Sequence, residues 1–357
     1  MTKVPTPDDI AAEWITERLR EQGHEGAVVK EFSTTRVGTG QSGLCLRFEL
    51  NLEGADDSTP RTLIGKFPSD DPITREAGVT LETYASEVTF YRDLAPRMFI
   101  RLPRCYYADI DGLGPDFLIL MEDMYPAVQG DQLAGCTAEV ARAAVLELVG
   151  LQAPSWCDAS MHDYFGYVET GPFGDMKALY NQGLPKFLKR FEASLEDDEI
   201  EIFKGMGAAD SCPTYEAYAK DAFSLEHFDY RLDNLLIYES TSPPRITTVD
   251  WAGVRVGKPL HDVALFMGSG LEPDVRRAIE TDIIRDYHAA LLEAGVENFS
   301  RERCWKEYRR GVFSGFALTV LGAALAKQTE RGDAMFLAMA RRLARQALDL
   351  DSWEFLD

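Results

Sequence analysis

Apolar and polar residues alternate along Leu44-Cys45-Leu46-Arg47-Phe48-Glu49-Leu50, a period of two that predicts a strand over residues 44–52. Similar strand-like runs cover residues 28–36, 62–67 and 116–121. A β-branched run, Ile246-Thr247-Thr248-Val249, faces Leu235-Leu236-Ile237-Tyr238 across the turn residues Ser242-Pro243-Pro244, which predicts an antiparallel hairpin. Helical spacing marks residues 8–22, entered by Thr6-Pro7-Asp8-Asp9, and residues 81–94, where Tyr84, Val88 and Tyr91 share a face. It returns over residues 137–151, 274–294 and 301–325, while 194–213 predicts a short helix with an acidic loop. The polar stretch 54–61 reads as a hairpin loop. Strands thus crowd the first third of the chain and helices the rest, giving an α+β protein with a small antiparallel N-terminal lobe carrying one main helix and a larger, mostly helical C-terminal lobe. The division falls near Tyr125-Pro126, between domains 1–124 and 125–357.

At 357 residues the chain exceeds one ordinary core, which agrees with two lobes. The formal net charge of -22 repels phosphate backbones and argues against nucleic-acid binding. Six cysteines are scattered without a CxxC, and Met1-Thr2-Lys3-Val4-Pro5 shows no secretory leader, so reduced thiols and a cytoplasmic location are expected. The five histidines lack metal-ligand spacing, which argues against zinc. Residues 311–326 carry no charge but fall short of the roughly 20 residues a membrane span requires, and they read as a buried helix.

The chemistry concentrates in His227-Phe228-Asp229, Asn234 and Asp250. A lone HxD is weak, and His227 by itself reads as an ordinary core histidine. The combination is more demanding. Phosphoryl transfer needs a carboxylate beside an acceptor hydroxyl and oxygen ligands for magnesium on the phosphates. Asp229 suits the first task. Asn234, five residues on, and Asp250, at the end of a β-branched strand, suit the second, and the hairpin is expected to return Asp250 to within reach of Asn234.

The runs His227-Phe228-Asp229-Tyr230-Arg231-Leu232-Asp233-Asn234, Val249-Asp250-Trp251 and Gly257-Lys258-Pro259-Leu260-His261-Asp262-Val263-Ala264 resemble the aminoglycoside phosphotransferase and choline kinase superfamily. Ala264-Leu265-Phe266-Met267-Gly268-Ser269-Gly270-Leu271 and the Arg-rich last helix look most like bacterial relatives of its ecdysteroid-kinase-like branch. The resemblance runs from about Val28 to the end and implies a bilobal protein-kinase-like fold. The family usually has glycine between the His and Asp of the motif, where this chain has Phe228. A bulky residue there also occurs in the HRD form of other kinases and leaves activity open.

The resemblance also directs attention upstream. Val37-Gly38-Thr39-Gly40-Gln41-Ser42-Gly43 lies between two strand-like runs, so it reads as a phosphate-covering flap or an ordinary β-turn rather than a dinucleotide-binding turn, which would open a helix. Gly38, Gly40, Ser42 and Gly43 are its candidate phosphate contacts. Lys66, inside an apolar strand, needs a partner, and Glu87 offers one; the resemblance places this pair against the α- and β-phosphates, whereas separately they read as a snorkelling edge lysine and a solvated helix face. It places adenine recognition by the backbone near Glu122 and Met124, a stretch that otherwise reads as a plain acidic loop. Arg231 either neutralises charge on the transferred group or is a loop arginine pairing Asp233 or Asp262, and Asp262 reads as a structural carboxylate receiving N–H groups of the catalytic loop.

These residues lead to a small-molecule kinase that uses ATP, or GTP, with Mg2+ and a small-molecule alcohol as acceptor: Asp229 and Arg231 catalytic, Asn234 and Asp250 on metal, Lys66, Glu87 and the glycine loop on phosphates. The alternative is a catalytically silent kinase-like binding protein. Ser42 and Ser269 sit among glycines but lack the context of a hydrolase nucleophile. Tyr164, Phe165, Trp305, Tyr308, Phe313 and Phe316 are candidate acceptor walls, although aromatics at helical spacing are more often core.

Overall fold

The computed structural model describes residues 3–38, 43–165, 175–215 and 222–356. They form two compact units: one takes the chain up to Arg97, Leu102–Pro126 and Val249–Val254, and the other takes Met98–Arg101, Ala127–Thr248 and the chain from Arg255 onward.

The first unit begins with α1 (Ala12–Glu21), preceded by a short 3-10 turn at Pro7–Asp9 rather than by continuous helix from residue 8. Five strands follow: β1 (Val28–Arg36), β2 (Gly43–Glu53), β3 (Thr62–Pro68), β4 (Cys105–Ile110) and β5 (Phe117–Glu122). They form one antiparallel sheet in the order β1-β2-β3-β5-β4. The alternation read in the sequence gives this sheet two chemically different faces. Phe48, Leu50, Leu63, Phe67, Leu118 and Leu120 pack with Ile15 and Leu19 of α1 into the core of the unit. Cys45 lies opposite Lys66, and Lys66 opposite Ile119, which sets the lysine among apolar neighbours.

The region expected as one helix over residues 81–94 divides. An additional helix, α2 (Pro72–Thr80), is capped by Asp71, whose side chain accepts from the Thr74 N–H at 3.0 Å. Glu82 then takes a left-handed φ of 55°, α3 runs over Thr83–Thr89, and a π-helical turn completes it at Phe90–Leu94. The wider turn brings Phe90, Tyr91 and Leu94 all to the interior.

The second unit pairs β6 (Val128–Gln129), β8 (Leu235–Tyr238) and β9 (Arg245–Thr248) in one small sheet, and β7 (Ser224–Glu226) with β10 (Arg255–Gly257) in another. The hairpin of β8 and β9 forms as its sequence predicts, with Leu235 opposite Thr248. Its helices are α4 (Ala138–Glu147), α5 (Val149–Gln152), α6 (Met176–Phe191), α7 (Asp197–Ala208), α8 (Leu260–Ser269), α9 (Pro273–Glu293), α10 (Arg301–Leu325) and α11 (Glu330–Asp349). Every residue of α8 is buried, as expected of a helix apolar on nearly all sides. It packs against α10 and α11, and the uncharged stretch of α10 supplies much of the surrounding core. Tyr308, Phe313 and Phe316 are sealed in that core, so these three are packing residues rather than acceptor walls. No helix among the described residues is long and apolar enough to cross a membrane. All six cysteines are free.

Candidate active site

In the first unit, β3 and α3 bring Lys66 and Glu87 together. The Lys66 ammonium lies 2.7 Å from the Glu87 carboxylate and 2.8 Å from Oδ1 of Asp250. Lys66 is 7% exposed and Glu87 1%, so neither is a snorkelling or solvated side chain. Burial acts to depress the Lys66 pKa, but the carboxylates of Asp250 and Glu87 outweigh it and hold the ammonium well above its ordinary range. Burial pushes Glu87 upward, against the attraction of Lys66.

Asp250 follows β9 by two residues and takes a left-handed φ of 65°. The 3-10 turn after it, Trp251–Gly253, is fastened within the first unit because Trp251, fully buried, stacks on Phe90 with ring centres 3.8 Å apart and planes 9° apart. Helix α3 and the π turn therefore position both carboxylates around Lys66. At the end of β5, Glu122 pairs with Arg104 through its backbone N–H, donating to the Arg104 carbonyl at 2.8 Å, and through its carboxylate, which accepts from the Arg104 N–H at 3.1 Å. Arg47 grips Asp123 with two hydrogen bonds of 2.6 and 3.1 Å, and Met124 is buried, so the segment expected to read the base is tied to β2. Gly38 has a φ of 76°, where a side chain would be strained, and Gly43 opens β2. Gly40 and Ser42 lie outside the described residues. The strand that follows the glycines continues as β2, which is not the helix a dinucleotide-binding turn requires.

In the second unit, the catalytic-loop candidates form a connected network. Asn234 donates from Nδ2 to the Asp229 carbonyl at 2.8 Å and to its Oδ2 at 2.9 Å. Arg231 donates from Nε to Asp229 Oδ1 at 2.8 Å and from Nη1 to Asp233 Oδ2 at 2.9 Å. Of the two partners expected for a loop arginine, it takes Asp233; Asp262 is engaged elsewhere. Burial opposes the charge on Arg231, yet Asp229 and Asp233 raise its pKa above the usual guanidinium value. Asp262, fully buried, accepts from the His227 and Phe228 N–H groups at 2.6 and 2.9 Å, the structural role its position predicts. Burial and the neighbouring Glu226 push Asp262 well above the ordinary carboxylate range despite these two bonds.

Three further supports carry no local signature in the sequence. Gln132 donates its backbone N–H to Asp233 at 3.0 Å, and its side-chain oxygen accepts from the Leu232 N–H at 2.9 Å. Arg331, near the start of α11, donates to both oxygens of Asp233 at 3.2 and 3.3 Å. Glu226, fully buried, receives Arg255 Nε at 2.7 Å and faces His261 Nδ1 at 3.3 Å. Gly257 is required beside it because a Cβ there would collide with the Glu226 carboxylate.

A family model described as ecdysteroid kinase-like matches residues 38–297. The chain belongs to the ecdysteroid kinase-like family. No curated protein sequence matches it. Among solved structures, choline kinase from Cryptosporidium parvum Iowa II is similar to this ecdysteroid kinase-like chain with a TM-score of 0.56 at 8% identity, covering 96% of this chain and 97% of that one. Wild-type aminoglycoside 2′-phosphotransferase-IIIa, in complex with GDP, gives 0.52 at 12% identity over 95% of this chain and 100% of its own. Ethanolamine kinase from Plasmodium vivax gives 0.50 at 10% identity over 88% and 82%. At such identities the likeness establishes the fold, which is kinase-like α+β.

Proposed function

We propose that this ecdysteroid kinase-like protein is a small-molecule kinase that transfers the γ-phosphoryl group of ATP, or GTP, to an alcohol with the help of Mg2+. The observation that carries the reading is the buried Lys66, paired at once with Glu87 and Asp250. A sealed lysine between two carboxylates is poorly suited to packing alone, since apolar residues fill such a site at less cost, whereas phosphoryl transfer needs a fixed cation for the phosphates and a carboxylate for the metal. Names of structural neighbours support the same class: a choline kinase, an ethanolamine kinase and a GDP-bound aminoglycoside phosphotransferase.

In this reading Lys66, positioned by Glu87, binds phosphate oxygens, with Gly38, Gly40, Ser42 and Gly43 supplying backbone or hydroxyl donors. Glu122 and Met124 belong to the segment that meets the base. Asp250 and Asn234 offer a carboxylate and an amide oxygen, a hard and sparse donor set that suits magnesium when phosphates complete it. The Asn234 amide nitrogen is already committed to Asp229, which leaves its oxygen for that purpose. Bound magnesium would neutralise charge on the phosphates. Asp229 orients the acceptor hydroxyl and accepts its proton, and Arg231 offsets charge on the transferred group while holding Asp229 in place. Phe228, the residue that motivates a silent-scaffold reading, is accommodated with Asp229, Arg231 and Asn234 still joined.

Calorimetric titration of ATP, and separately of GTP, with and without magnesium tests the proposal. Magnesium-dependent binding that weakens in Asp250→Ala supports it. Absence of binding, or equal affinity in both conditions, favours the silent scaffold.

A further inference from the structure

Phe228 occupies the middle of the catalytic motif with a φ of 71°. Glycine adopts this conformation freely, but a residue with a Cβ resists it. Two elements hold the backbone there. Asp262 accepts from the His227 and Phe228 N–H groups. The Arg255 guanidinium carbon lies 3.0 Å from the centre of the Phe228 ring. That guanidinium is fixed: Arg255 stands directly opposite Glu226 in the β7–β10 ladder, its Nε donates to the sealed Glu226 carboxylate, and its side chain is only 12% exposed. A cation over an aromatic face gains strength when desolvated.

We propose that Arg255 is a positioning residue that acts through the Phe228 ring, clamping the left-handed backbone that presents Asp229. The aromatic side chain standing where glycine is usual is then part of a lock, not an obstruction. The kinetic consequence rests on the phosphotransferase reading, while the structural consequence stands without it.

The test compares Phe228→Tyr, Phe228→Gly and Phe228→Leu in the full chain. Leucine keeps the strained Cβ but has no π face; glycine removes both the strain and the need for a clamp. Two readouts are taken: hydrogen exchange of the peptide spanning Leu225 to Asp229, and magnesium-dependent ATP hydrolysis with water as acceptor. The lock predicts that tyrosine loses least, glycine is intermediate, and leucine loses most, with exchange about tenfold faster and kcat lowered in proportion while KM for ATP changes little. Ordinary packing gives the opposite order, leucine better than glycine, and overturns the proposal.

Arg255→Met is read with and without Phe228→Gly. Slower exchange on adding the glycine supports action through the ring. Unchanged exchange means that Arg255 serves only to neutralise Glu226, and the proposal falls. Should the wild-type protein fail to hydrolyse ATP, the phosphotransferase reading is what suffers, and the order of exchange rates still decides the lock.

Discussion

Asn234 holds Asp229 by its side-chain amide, with one hydrogen bond to the backbone carbonyl and one to the carboxylate. The two residues are five apart, and the 3-10 turn Leu232–Asn234 brings the amide back onto the carboxylate. Arg231 occupies the other carboxylate oxygen, so Asp229 is held from both sides.

Replacing Asp229 with asparagine removes the proposed proton acceptor but keeps the size and shape of the side chain. Turnover is expected to fall by about 10²- to 10⁴-fold, with nucleotide affinity near that of the wild type. Steady-state kinetics beside calorimetry checks this, and undiminished turnover would remove Asp229 from its assigned role.

Lys66→Met leaves the buried Glu87 carboxylate without its cation and is expected to cost about 3–5 kcal/mol in urea unfolding. Adding Glu87→Leu should recover much of that loss, since an apolar pair no longer requires a buried charge to be solvated. A double variant no more stable than the single one would contradict the ion-pair account.

Trp251→Ala opens a cavity beneath Phe90 and is expected to destabilise the protein by about 3–5 kcal/mol. Because the indole also fixes the turn that follows Asp250, the variant should bind magnesium-nucleotide more weakly under conditions where it is folded. Denaturant melts and calorimetry on the same sample separate the two effects.

Glu226 supplies a pH signature. Burial acts to raise its pKa, but Arg255 and His261 outweigh burial and leave it below the ordinary value of 4.5. A carboxylate depressed in the folded state contributes stability above the unfolded value, and that contribution is lost as pH falls through the folded value. The stability advantage of the wild type over Glu226→Gln should therefore be full at neutral pH and shrink as pH drops below 4.5. Chemical denaturation across that range checks it, and a gap that widens toward acid would refute the assignment.

Features that depend on neighbours along the chain are legible in the residues alone. Strand alternation over residues 44–52 set the two faces of β2, the β-branched run and its prolines set the β8–β9 hairpin, and the spacing of Asp229, Arg231 and Asn234 placed three polar groups within one short loop. Helix ends and the division of residues 81–94 were less legible, because a π turn leaves the apolar period nearly intact while shifting the register. Tertiary structure alone decided which distant groups meet. Nothing near Arg331 announces Asp233, and nothing near Arg255 announces the Phe228 ring. Tyr308, Phe313 and Phe316 show the same limit: helical spacing marks them as one face, but only packing shows that the face is sealed. Asp250 lies in Val249–Val254, which belongs with the first unit although the chain before and after that segment belongs with the second, and Trp251 of the segment stacks on Phe90. Periodicity and turn chemistry act over a few residues, whereas the partner of a buried charge is set by how whole elements pack, and that information is spread over residues far apart in the chain.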